Sequence, residues 1–144
     1  RDQVLTPAET CEFIGLMRAA RLQLQRRWFG HTEVAMHRAL QFRASGLQPY
    51  SCTAGDSLVA IQPNGDLYPC RRMPIRVGNL METPLRGLYQ HSDLFRALRD
   101  RGRFSRGCER CTYAKVCRGG LKCLSYAVTG DPFERDPGCW HAKS

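Results

Sequence analysis

Residues 107–123 read GCERCTYAKVCRGGLKC. Cys108, Cys111, Cys117 and Cys123 crowd into this one stretch, with two residues between the first pair and Gly119-Gly120 between the last. Thiols this dense either bond one another or hold a metal. The whole chain has 144 residues, 42% of them apolar, and eight cysteines. That length suits one domain of ordinary size or two very small ones. The N-terminal RDQVLTPAET is charged and lacks the apolar h-region of a signal peptide. Nothing points to export, and reducing compartments disfavour structural disulfides. The even cysteine count leaves a disulfide framework open, but Cys-x2-Cys is metal-ligand spacing. The expectation is a metal-binding cytoplasmic protein. No stretch approaches the ~18–20 uncharged apolar residues of a membrane span. The sequence does not begin with Met, and it is expected to be a piece of something longer.

Upstream, residues 6–29 predict a helix. Thr6 suits the N-cap, Pro7 the first helical position, and Glu9 completes a capping box. Phe13, Ile14, Leu16, Met17, Ala20, Leu24 and Trp28 recur at helical spacing, and Gly30 can stop the helix. Arg18, Arg21 and Arg26 mark its charged face. Its apolar face needs a partner. A second short helix is expected over 32–44. From Gly46 the texture changes, and SLVAIQPNGDLYPC predicts a β-hairpin. Leu58–Ile61 is one strand, Asn64-Gly65 a two-residue turn, and Leu67-Tyr68 the return. Antiparallel strands bring Cys52 and Cys70 to the same end, a route by which thiols so far apart in sequence could share a metal. RRMPIRVGNLMETP reads as loop. Thr83-Pro84 starts one further helix carrying Leu85, Leu88, Tyr89, Leu94, Phe95 and Leu98 and ending near Gly102. LKCLSYAV predicts a last short helix, before a turn-rich tail that holds Cys139.

Which metal follows from the spacings. Closed zinc sites usually combine two Cys-x2-Cys pairs. Here the second pair is missing, and His31, His37, His91 and His141 stand at no ligand spacing to a cysteine pair. Each reads as an ordinary surface or hydrogen-bonded residue. A four-iron cluster takes four thiolates spread around a cube, so uneven spacing with a remote fourth cysteine suits it. Cys-x2-Cys-x5-Cys, then one distant cysteine, has that form. Gly119 and Gly120 let the backbone pass close to a cluster without a Cβ clash, and their amides could bond cluster sulfide. The net charge of +9 fits as well, because thiolate-bound clusters are anionic and nearby cations offset them. Nucleic acid is disfavoured: no aromatic-interleaved basic stripe accompanies the arginines.

With these residues in view, the chain resembles the C-terminal SPASM region of radical S-adenosylmethionine (SAM) enzymes. The resemblance spans about residues 50–141. Cys52, twelve residues, Gly65, DLYP and Cys70 match its first part; Cys108, Cys111 and Cys117 its second; Cys139 its last. NGDLYPC, VGNL, TGDP and DPGCW also resemble the family. The resemblance implies a small α+β fold, a β-hairpin plus helices around cysteine-ligated clusters, with an N-terminal connecting helix. It implies two [4Fe-4S] clusters. Cys108, Cys111, Cys117 and Cys139 would hold an outer one, and Cys52, Cys70 and the last cysteine of the knot an inner one. The chain departs at that last cysteine. The family has it where Leu121 stands, and Cys123 comes two positions later. On a helix those positions face nearly opposite ways, so either the local path is shifted or Cys123 is no ligand. Leu58 stands where some members carry a further cysteine, leaving three protein ligands and an open iron. Cys11 could add a thiolate, but a buried inert cysteine suits its helix better.

The Cys-x3-Cys-x2-Cys loop that serves S-adenosylmethionine cleavage in this family is absent from the sequence. The chain is therefore expected to be inactive alone and to meet S-adenosylmethionine only through a preceding barrel. Residues 1–45 resemble the helical connection after that barrel, and 46–144 the auxiliary-cluster domain. The parent is expected to be an oxidoreductase or maturase acting on a peptide or a tetrapyrrole, its clusters relaying electrons or ligating substrate. Arg71, Arg72 and Arg76 are candidates to meet acidic substrate groups. The alternatives are a basic binding module organised by zinc or one cluster, and a disulfide-stapled secreted domain.

Overall fold

The computed structural model describes residues 4–25, 40–42 and 51–141. Among them, five helices and a three-stranded antiparallel meander make the small α+β fold that the sequence predicts.

Helix α1 (Pro7–Gln25) opens on the expected capping box. The Thr6 amide donates to Glu9 Oε2 at 2.8 Å, and the Glu9 amide donates to Thr6 Oγ1 at 3.3 Å. Its inward stripe runs through Thr10, Ile14, Met17, Arg21 and Leu24, and of these only Ile14 is fully buried. Cys11 lies one residue off that stripe and is exposed, not buried as expected. The helix end at Gly30 and the second helix over 32–44 lie outside the described residues, apart from 40–42.

In the meander, β1 (Ala60–Ile61) pairs with β2 (Asp66–Tyr68), which pairs with β3 (Gly78–Asn79). The first turn is one residue longer than the expected two. The Gly65 amide donates to the Gln62 carbonyl and the Gln62 amide to the Asp66 carbonyl, both at 2.9 Å. Gly65 has φ +86°, and Asn64 has no positive φ. This is a type I turn closed by a glycine bulge. Pro63 at its second position presets the φ such a turn needs. Leu58 forms an isolated bridge with Ala54, so β1 is shorter than expected. Strand β3 lies in the stretch read as loop. It is fastened by polar groups: Asp66 takes Arg76 Nε at 2.6 Å and Asn79 Nδ2 at 2.9 Å.

The single helix expected after Pro84 is two, α2 (Leu85–His91) and α3 (Asp93–Arg99). Ser92 between them is extended, and its Oγ accepts the Phe95 amide at 3.3 Å, an N-cap that restarts the helix. Phe95 and Leu98 then pack with Ala54, Leu67, Cys70 and Met73 as the main core. Gly55, at φ +69°, is the point of closest approach. A Cβ there would stand 2.7 Å from Leu98 Cδ1. Helices α4 (Ala114–Cys117) and α5 (Lys122–Thr129) carry the cysteine knot. A smaller core of Ile14, Leu40 and Cys117, with Phe42, Cys139 and Trp140 against it, joins α1 to the knot.

Candidate metal centres

All eight cysteines are free thiols. Seven of them, all but Cys11, fall into two sets. Cys108, Cys111, Cys117 and Cys139 line one cavity, walled also by Phe42, Tyr113, Arg135 and His141. Local turns aim the first three inward. The Cys108 amide donates to Ser105 O at 2.9 Å, the Cys111 amide to Cys108 O at 3.0 Å, and the Cys117 amide to Tyr113 O at 2.8 Å. After Cys117 the backbone turns through three consecutive left-handed residues, Arg118, Gly119 and Gly120, with φ +54°, +82° and +80°. A Cβ on Gly119 would stand 2.1 Å from Ser105 Oγ, and one on Gly120 2.4 Å from Asp136 Oδ2. Only glycine fits at either position. Asp136, buried, ties the fourth cysteine to this turn. Its carboxylate accepts the Leu121 and Gly138 amides, each at 2.9 Å. Its own amide donates to Gly119 O, and its carbonyl accepts the Cys139 amide, each at 3.0 Å.

Electrostatics mark the four as one group. Burial first, then the neighbouring thiols of Cys139, Cys111 and Cys117, push Cys108 up to about 11. Burial also raises Cys117, while the Gly120 and Gly119 amides beside its sulfur oppose the shift. The bare Cys108 and Cys117 thiols resist ionisation, whereas a coordinating thiol loses its proton to the metal.

The second set is Cys52, Cys70 and Cys123. Cys70 is buried in the main core, and Cys52 and Cys123 pack against it. Burial, then Cys70 and Cys52, raise the Cys123 thiol, and Arg72 opposes. Leu121 instead lines a separate apolar pocket beneath α1 with Ile14, Leu40 and Leu124. At the start of α5 the two positions thus face opposite ways, and Cys123 is the one beside Cys52 and Cys70. Among the described residues, no three His, Cys, Asp or Glu side chains are placed to hold one metal ion. Thiolates around a cube have no need to meet at a point.

One feature of the site tests its fit to an anionic group. Lys122 is 6% exposed, and its ammonium donates to the neutral Ser105 Oγ at 2.6 Å. It pairs with no carboxylate among the described residues. Burial holds it below its usual value; of the charges around it, Arg118 adds to that lowering, while Cys52, Cys108 and Cys117 oppose it. Arg118 is buried too. Its Nη2 donates to Leu98 O at 2.9 Å and Asp100 O at 3.1 Å, and its Nε has no hydrogen-bond partner among the described residues. Buried cations are normally paired. Cations placed among thiols suit anionic, thiolate-bound clusters.

Lys122, Ser105, Arg118, Asp136 and His141 were not singled out as site residues from the sequence. His141, expected to be an ordinary surface or hydrogen-bonded residue, lines the four-cysteine cavity and packs edge-on against Tyr113. The only local signal was adjacency to a cysteine, which Arg118 and Lys122 have. Arg76, a candidate for substrate contact, forms an ion pair with Asp66 at 2.6 Å.

Residues 52–112 match the family model of SPASM, an iron-sulfur cluster-binding domain. This segment is a SPASM domain. The match ends just past Cys111 and does not include Cys117, Cys123 or Cys139. The chain is 35% identical over 88 residues to an AdoMet-dependent heme synthase of Methanosarcina barkeri, covering 61% of this chain and 25% of that protein. It is 31% identical over 88 residues to the enzyme of that name in Nitratidesulfovibrio vulgaris, covering 61% and 24%. It is 29% identical over 98 residues to a PqqA peptide cyclase of Xanthomonas campestris, covering 64% and 26%. Aligned segments thus span about a quarter of these relatives. No described helix is long and apolar enough to cross a membrane.

Proposed function

We propose that this SPASM chain is the auxiliary-cluster part of a radical SAM enzyme and holds two [4Fe-4S] clusters. Cys108, Cys111, Cys117 and Cys139 ligate one. Cys52, Cys70 and Cys123 ligate the other, which keeps one iron without a protein thiolate. The observation that carries this reading is the sorting of seven cysteines into a set of four around one cavity and a set of three in the core. When bound, such clusters supply one-electron transfer and a coordination position for substrate. The chain's own part is to supply the thiolates, to present the Gly119 and Gly120 amides to sulfur, and to offset negative charge.

The partner is a radical SAM barrel, joined through residues 1–45. The relatives named for haem synthesis and for cyclising a peptide support a tetrapyrrole or a peptide as substrate. Arg71 and Arg72 are exposed next to Cys70 and form no ion pair among the described residues. In this reading they receive acidic groups of that substrate. Iron–thiolate chemistry persists in reducing compartments, which makes the protein cytoplasmic.

Iron, acid-labile sulfide and zinc per chain, measured on protein made and kept without oxygen, test the reading. Two clusters give about eight irons and eight sulfides. Zinc without sulfide overturns it in favour of a metal-organised binding module.

A further inference from the structure

A buried positive charge, Lys122, lies near cysteines of both sets: Cys52 of one, Cys108 and Cys117 of the other. Lys122 directly precedes Cys123, of the three-cysteine set. Its ammonium reaches across to Ser105 Oγ at 2.6 Å. The same Ser105 accepts the Cys108 amide on its carbonyl at 2.9 Å, and Cys108 belongs to the four-cysteine set. Ser105 is 1% exposed and Lys122 6%. The Lys122 ammonium lies 3.6 Å from where a Gly119 Cβ would be, so it also adjoins the turn that follows Cys117. Arg118, the other buried cation nearby, is turned toward the C-terminal carbonyls of α3. Lys122 has only uncharged partners among the described residues, the Ser105 hydroxyl and the Phe133 ring, 5.5 Å from its ammonium. It is placed as a charge whose counter-charge lies in both cysteine sets.

We propose that Lys122 is a shared positioning residue: one buried ammonium, anchored on Ser105, that sets the reduction potentials of both clusters together. Reducing a cluster adds negative charge, and a fixed cation in a low-dielectric setting favours the reduced form. Because one charge serves two sites, removing it moves both potentials the same way. The inference rests on the two-cluster reading above.

The test is an anaerobic redox titration, followed by electron paramagnetic resonance, of the full-length reconstituted protein and its variants. K122M is expected to lower both potentials by at least a tenfold change in each reduction equilibrium, 59 mV for a one-electron couple. K122R keeps the charge and is expected to leave both near the parent values. A K122M protein with full iron content and unchanged potentials overturns the proposal. So does a shift confined to one cluster. If K122M does not retain iron, K122Q, which is also uncharged but can still bond Ser105, replaces it under the same criteria. Iron lost in both uncharged variants and kept in K122R supports the need for charge. Iron lost in all three overturns it, since packing would then be the requirement. A parent protein that takes up no iron and sulfide fails the two-cluster reading itself, a result distinct from all of these.

Discussion

Gly120 and Asp136 meet so closely that neither can change alone. A methyl on Gly120 at φ +80° would be strained by its backbone and would also strike Asp136 at 2.4 Å. The two effects together should cost about 3 kcal/mol. G120A is expected to lower the urea midpoint accordingly, and an unchanged midpoint would mean that Asp136 swings aside freely. Just after it the sequence poses a choice between Leu121 and Cys123: Leu121 lines the apolar pocket under α1, whereas Cys123 packs against the core that holds Cys70. C123S is therefore expected to take up about half the parent's iron, and C123S/L121C is expected not to recover it. Recovery would show that the path through α5 bends the other way. The crowded thiols make a further prediction. In metal-free protein, thiolate absorbance should rise with one component near pH 11, from Cys108. The shift is upward because burial and neighbouring thiols both oppose the charged form. If every thiol titrates near its ordinary value, the four-cysteine cavity does not form without metal. The cysteines were legible in the sequence because their spacing is a pattern. Lys122, Ser105 and Asp136 were not, because burial of one lysine or one aspartate has no periodic signature.

At the scale of elements, local chemistry decided what could be read. The α1 capping box, the hairpin and the helix after the knot each rest on short-range rules, and each is present. The failures are equally local. Ser92 starts a new helix in what looked like one apolar run, because its hydroxyl captures the Phe95 amide. Strand β3 went unseen because a polar cluster of Asp66, Arg76 and Asn79 fastens it, where alternating apolar residues would have announced it. The break at Ser92 lets Phe95 turn fully into the core beside Cys70. F95A is expected to destabilise the protein by about 3–5 kcal/mol and to loosen the three-cysteine set before the four-cysteine one. Denaturation followed by iron release checks this. Simultaneous loss of both sets would mean that they unfold as one unit.

Across the described residues, two small cores each enclose cysteines. The main core holds Cys70 against the meander and α3, and the lesser one holds Cys117 against α1. The measurement that tests this division most directly is iron and sulfide per chain in three anaerobic proteins: the parent, C111S/C139S and C52S/C123S. Two independent sets predict about eight irons in the parent and about four in each double variant, with a different residual paramagnetic signal in the two. A double variant that loses all its iron, or both double variants leaving the same signal, would contradict the division into two centres.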